Sequence, residues 1–135
     1  MTCIDSNVLI NFLRNKPQAL SAIHQLNKKN EELITTSVNS FELLRGASNL
    51  SKLKEDRVRN FLGNFTILDF DFESSKKAAE IFNTLKEKGS SLDIADVMIA
   101  AIAITNNQSL LTENKKHFDR IEGLTLEVIA TDLNN

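Results

Sequence analysis

Asp5, Glu42, Asp93, Asp96 and Asn114 are the side chains whose types and placement point to chemistry. Asp5 directly follows the short β-like run Thr2-Cys3-Ile4, and Asn114 comes just after the run Ser109–Thr112. Glu42 lies in the helical stretch after a second β-like run, and Asp93 and Asp96 open the most apolar helical stretch of the chain. Carboxylates brought within a few ångströms of one another repel, so some must take up protons or share a cation. Hard cations such as Mg²⁺ prefer oxygen ligands and keep several waters. One or two such ions can hold a phosphodiester, generate hydroxide and stabilise the leaving oxygen of an in-line displacement.

Each acid also has a purely structural reading. Asp5 suits the N-cap of the first helix, since Asp is a favoured cap. Asp93 and Asp96 resemble a capping pair, and acids in a first turn are favoured by the helix dipole. Glu42 can pair with Arg45 one helical turn on. Yet Glu42 stands between Phe41 and Leu43, in a helix expected to pack on a sheet, where a buried carboxylate needs a partner and a metal is one candidate.

The elements that must position these groups alternate between strand and helix. Val8, Leu9, Ile10 and Leu13 fit the buried face of a helix that starts at the Asp5-Ser6-Asn7 turn. Pro17 opens the next helix, with Leu20, Ile23 and Leu26 at helical spacing. Leu33–Ser37 reads as a β-branched strand followed by a helix over Asn39–Ala47. Ser51–Phe61 is basic and helical in period, and Phe65–Asp69 reads as a strand. Asp71 caps a long helix with a buried stripe of Ala78, Ile81, Phe82 and Leu85, which Gly89 ends. Ile94–Ile104 is apolar nearly all round and should be buried. Ser109–Thr112 follows an Asn106-Asn107 turn, and Leu124–Ile129 is the last strand. Such alternation predicts a three-layer α/β/α sandwich around a central parallel sheet, in one domain over residues 1–135. In such sheets reactive groups gather beyond the carboxyl ends of the strands.

The totals narrow the setting. The 135 residues suit one core, with 41% hydrophobic and 25% charged residues, as in an ordinary soluble protein. A net charge of −2 is not the footprint of a non-specific nucleic-acid binder, so RNA or DNA would have to be met by local basic patches or through a bound cation. Cys3 is the sole cysteine and excludes an internal disulfide. No basic-then-apolar leader opens the chain, and the apolar stretch near Val97–Ile104 is far short of the roughly 18–20 residues of a membrane span. A cytoplasmic location with no membrane association is expected.

Read in order, four segments resemble the PIN-domain family, and within it the VapC-type toxins. These are Cys3-Ile4-Asp5-Ser6-Asn7-Val8-Leu9-Ile10, Ser40-Phe41-Glu42-Leu43-Leu44-Arg45-Gly46-Ala47, Asp96-Val97-Met98-Ile99-Ala100-Ala101, and Leu111-Thr112-Glu113-Asn114-Lys115-Lys116-His117-Phe118. Ile121-Glu122-Gly123-Leu124 is similar to the family's closing segment. The resemblance implies a PIN-like α/β/α fold, a Mg²⁺- or Mn²⁺-dependent ribonuclease cutting structured RNA, a cognate antitoxin and a homodimer. It makes Asp5, Glu42 and Asp96 the acidic core, with Asp93 a fourth carboxylate or a supporting group. Asp5 and Asp96 would hold one ion directly, while Glu42 binds it through water or acts as the base. Many relatives carry an acid at the position of Asn114 or of His117. This chain has neither, which puts a second metal site in doubt and leaves Asn114 to offer a carbonyl oxygen.

Ser6 and Asn7 are expected to support Asp5 through hydroxyl and amide hydrogen bonds, although ordinary turn chemistry would place the same residues there. Lys115, Lys116 and Arg120 flank the fourth segment and are suited to phosphate contacts, which position without reading sequence. Lys52, Lys54, Arg57 and Arg59 read more readily as a solvated face. His24 and His117 read as structural or surface residues, not metal ligands. Two rivals remain. One is a catalytically silent PIN-like binding module, favoured by the missing fourth acid. The other is a phospho-accepting signalling domain, which would need an acidic pair after the first strand and a Lys after a late one.

Overall fold

The computed structural model describes residues 1–129; residues 130–135, the end of the expected domain, lie outside the described residues. The chain runs β1 (Thr2–Ile4), α1 (Ser6–Leu13), α2 (Pro17–Lys28), β2 (Ile34–Thr36), α3 (Ser37–Ser48), α4 (Lys52–Leu62), β3 (Thr66–Leu68), α5 (Phe72–Glu87), α6 (Ile94–Thr105), β4 (Ser109–Thr112), α7 (Lys115–Phe118) and β5 (Leu126–Val128). The strands form one sheet in the order β3-β2-β1-β4-β5, and every pairing is parallel. The expected three-layer α/β sandwich is therefore the fold.

Strand periodicity divides the interior into two cores, because successive side chains leave a strand on opposite faces. Ile4 and Leu111 point into one core with Val8, Leu9, Ile23, Leu43, Val58 and Leu62 from the first four helices. Cys3 and Leu110 point into the other, with Ala78, Ile81 and Leu85 of α5, Ile99 and Ala100 of α6, and Phe118 of α7. Central β1 is buried throughout, as a strand covered on both faces must be.

The site follows from the order of the strands. The chain winds from β1 outward through β2 and β3, then returns to place β4 on the other side of β1. This reversal leaves a crevice at the carboxyl ends of β1 and β4. Ile4 is in register with Leu111, and the Asp5 N–H donates to the Leu111 carbonyl at 2.9 Å. Asp5 and Thr112 are thus neighbours at one sheet edge.

Several expectations shift in detail. The strands are three or four residues long, so Leu33, Ser37, Phe65 and Asp69 lie outside the sheet. Thr36 caps α3, its hydroxyl accepting the Asn39 N–H at 3.1 Å, and this starts the helix two residues early. Phe82 is 41% exposed, because it lies beside the Ala78–Ile81–Leu85 stripe rather than in it. Ile94, at the first turn of α6, is 56% exposed, whereas Ile99 to Ala103 are wholly buried. Gly89 ends α5 as expected: at φ +71 it lets its own N–H reach Lys86 and the Ser90 N–H reach Leu85. No helix of the described residues is long and apolar enough to cross a membrane.

Candidate active site

Asp5 leaves β1 in an extended conformation and caps α1, its carboxylate accepting the Ser6 N–H at 2.9 Å. Two further donors converge on it. Asn39 Nδ2, from α3, reaches Oδ1 at 3.1 Å, and Thr112 Oγ1, from the end of β4, reaches Oδ2 at 2.8 Å. Asp5 is only 4% exposed. Capping is real, but a cap alone does not call for a carboxylate buried this deeply. Burial pushes its carboxyl well above the ordinary range; the three hydrogen bonds oppose that shift, and the charge of Glu42 adds to it.

Glu42 is tied to the same centre through the first helix. The Ser6 hydroxyl donates to Glu42 Oε1 at 2.8 Å, while its backbone N–H holds Asp5. Asp96, in the first turn of α6, is half-buried, and its carboxyl is raised to about 6. Burial is the main cause and the charge of Asp5 the next; His117 opposes both, with Nδ1 placed 3.0 Å from Asp96 Oδ2. Asp5, Glu42 and Asp96 therefore come from the end of β1, from α3 and from α6 to one locality, where the charge of Glu42 acts on Asp5 and that of Asp5 acts on Asp96. Among the described residues no Lys or Arg forms an ion pair with any of the three.

The other expected residues fall around this centre. Asp93 is exposed and caps α6, accepting the Ala95 N–H at 3.1 Å; its charge reaches Asp96 as a minor influence. Asn114 is exposed, and its backbone N–H rather than its carboxamide is engaged, donating to Thr112 Oγ1 at 3.0 Å. Two supporting roles need correction. The Ser6 hydroxyl serves Glu42, not Asp5. The Asn7 side-chain Oδ1 accepts the Glu113 N–H at 3.4 Å and does not touch Asp5, because the Asp5 oxygens are filled by Ser6, Asn39 and Thr112. Lys115 and Lys116 are exposed on α7. Arg120 donates to the Ser91 carbonyl at 3.2 Å, and His24 is exposed on α2. The Glu42–Arg45 pair does not form; the Arg45 guanidinium lies over the Phe41 ring, 5.1 Å from its centre.

Asn39, Thr112 and the pairing of His117 with Asp96 were missed by sequence reasoning. Asn39 and Thr112 have a legible signal, since each is a polar residue facing a wholly buried place: one helical turn before Glu42, and at the end of an apolar strand. Two clefts meet at Glu42. One, of about 450 Å³, lies between α1, α3 and α4 and includes Arg14, Lys54 and Arg57. The other, of about 440 Å³, lies between α3 and α6 and includes Phe41, Arg45 and Asp93. Lys52 and Arg59, by contrast, are spent in helical pairs with Asp56 and Glu55.

The donor set suits a hard divalent cation. All three groups offer carboxylate oxygen, they share a locality without a balancing cation among the described residues, and two hold protons more tightly than usual, chiefly through burial and then through a neighbouring carboxylate charge. Among the described residues the His, Cys, Asp and Glu side chains do not close into a set of three around a common ligand point. Mg²⁺ and Mn²⁺ commonly take few protein ligands and fill the rest with water.

An acidic crevice at the carboxyl edge of a parallel α/β sheet lies where such sheets bind ligands. The chain belongs to the PIN domain family, whose model matches residues 2–124. It is 32% identical to ribonuclease VapC1 of Methanocaldococcus jannaschii over 93% of this chain and 84% of that one. It is 28% identical to the tRNA(fMet)-specific endonuclease VapC of Salmonella typhimurium over 92% and 94% of the two chains. Among solved structures, VapBC2 from Rickettsia felis, bound to a DNA fragment from its promoter, superposes with a TM-score of 0.86 at 26% identity, covering 96% of this chain and 98% of that one.

Proposed function

We propose that the protein is a ribonuclease toxin of a toxin–antitoxin pair, that it depends on Mg²⁺ or Mn²⁺, and that it cuts structured RNA endonucleolytically. The observation that carries this reading is the buried Asp5 carboxylate, held by three donors and facing the charges of Glu42 and Asp96 with no Lys or Arg partner among the described residues. Burying such charge without compensation is unfavourable, and a bound divalent cation would relieve it. The family membership and the names of the relatives support the same conclusion.

Asp5 and Asp96 are the residues that would hold the ion, with Glu42 reaching it through water. When bound, the ion supplies charge for the phosphoryl oxygens and lowers the pKa of a coordinated water. The remaining work belongs to the chain. Asn39 and Thr112 lock the Asp5 rotamer. The Ser6 hydroxyl occupies one Glu42 oxygen and leaves the other to accept a proton from the attacking water. Lys54 and Arg57 line one cleft at Glu42, Arg45 lines the other, and Lys115 and Lys116 follow the β4 turn; these would contact phosphates, which fixes the register of the RNA without reading its sequence. An antitoxin is one protein partner proposed, following the VapBC complexes that this fold resembles; a second copy of the chain is proposed from the family resemblance alone.

The absence of an acid at Asn114 and His117 favours one other reading, a PIN-like module that binds without cutting. Expression of the wild type beside Asp5→Asn separates the two. A nuclease toxin arrests growth and produces new RNA ends that the variant does not. Equal growth and identical RNA ends in both strains would favour the silent module.

A further inference from the structure

The turn after β4 has no acid at Asn114 or at His117, yet it holds two acids that come from elsewhere in the fold. Thr112 donates its hydroxyl to Asp5 Oδ2 at 2.8 Å, and the same oxygen accepts the Asn114 N–H at 3.0 Å. The Asn114 carbonyl accepts the His117 N–H at 3.0 Å, and the His117 ring meets Asp96 Oδ2 through Nδ1 at 3.0 Å. One turn, Thr112 to His117, thus joins through its hydrogen bonds and its own backbone a carboxylate at the end of β1 to one in the first turn of α6. The turn is anchored by the next residue, Phe118, which is 1% exposed within the second core. The His117 side chain itself is 55% exposed, so it contributes little packing. Among the described residues, its ring is the one side chain hydrogen-bonded to Asp96.

We propose that His117 is a positioning residue of the acidic site: its ring, with the proton on Nδ1, holds Asp96 Oδ2 and fixes the rotation of the carboxylate, leaving Oδ1 for a divalent cation. This rests on the reading that Asp96 binds such an ion. A donor on one oxygen makes a carboxylate a directed, one-oxygen ligand, and partners of this kind alter metal affinity by roughly 10–100-fold. The ring ties Asp96 to the turn that also holds Asp5.

The experiment compares His117→Asn, His117→Gln and His117→Ala. The Asn amide can occupy the place of Nδ1, whereas the Gln amide falls nearer that of Nε2. Binding of Mn²⁺ alone to metal-stripped protein is followed by calorimetry, with kcat and KM on RNA measured in parallel. Ala and Gln are expected to weaken Mn²⁺ binding about 10–100-fold and lower kcat with KM nearly unchanged, and Asn to restore most of the loss. Thermal stability without metal should be nearly the same in all three, which separates positioning from folding. Long-range ¹H–¹⁵N spectra of the metal-free wild type should show His117 protonated on Nδ1, a preference lost in Asp96→Ala. Equal Mn²⁺ affinity in wild type and His117→Ala, or a wild-type ring protonated on Nε2, overturns the role given to His117 and leaves the nuclease reading intact. A wild type that binds no Mn²⁺ refutes the metal site itself, and the proposal falls with it.

Discussion

Asp96→Asn should stabilise the metal-free protein at neutral pH, although it removes a residue assigned to the active site. Burial and the nearby Asp5 charge raise the Asp96 carboxyl from 3.8 to about 6. The folded state therefore binds this proton more tightly than the unfolded chain does. The sign follows from linkage: ionising Asp96 destabilises the fold, by nothing below pH 3.8 and fully above pH 6. At ~1.4 kcal/mol per pH unit the full penalty is about 3 kcal/mol. The side chain is 16% exposed, and screening at that edge reduces the figure to roughly 1.5 kcal/mol. Asn is nearly the same size, can still meet the His117 ring and carries no charge. For a chain of this length the gain corresponds to a rise in Tm of about 6 °C. Scanning calorimetry in EDTA at pH 7.5 measures it, and a repeat at pH 4.5 should shrink the difference to about a third. Saturating Mn²⁺ should reverse the order, because only the wild type gains binding energy, about 2.7 kcal/mol at a hundredfold excess over Kd. An Asp96→Asn variant that melts lower than wild type in EDTA at both pH values would refute the electrostatic reasoning.

Thr112→Val keeps the shape of the side chain but removes the donor to Asp5 and the acceptor for Asn114; it should lower stability by about 1–3 kcal/mol in urea unfolding and move the acid limb of the pH–rate profile upward, because that hydrogen bond holds the Asp5 proton affinity down. Phe118→Ala should cost about 3–5 kcal/mol, read from the same denaturation midpoint, since the ring is wholly buried beside the turn that links Asp5 to Asp96. Asp71→Ala removes the cap of α5, whose oxygen accepts the Ser74 N–H at 2.9 Å, and should lower stability by about 1 kcal/mol while leaving cleavage unchanged.

The fold was legible because its signals are local. Short β-branched or apolar runs between turn residues mark β1, β2 and β4, and the helical stripes of α2 and α5 repeat at the right spacing. Asp5, Glu42 and Asp96 were legible for a topological reason: a parallel sheet collects what lies just past its strands at one edge. What stayed hidden depends on contacts that no local window contains. Thr112 meets Asp5 across 107 positions, Asn39 across 34, and His117 meets Asp96 across 21. The destination of the Ser6 hydroxyl was misread for the same reason, since Glu42 approaches from 36 positions away while Asn39 and Thr112 fill the oxygens of Asp5. Phe82 shows a different limit: apolar character marks a stripe, but its edge depends on how closely α6 packs on α5.

Purified, EDTA-stripped protein incubated with total RNA tests the account most directly, with the mapping of new ends before and after Mn²⁺ is restored. Wild type should cut only once the ion is added, and Asp5→Asn should stay silent at every Mn²⁺ concentration. Cleavage by the stripped wild type in EDTA, or equal cleavage by Asp5→Asn, would contradict the assignment of the buried carboxylates to a cation and its chemistry.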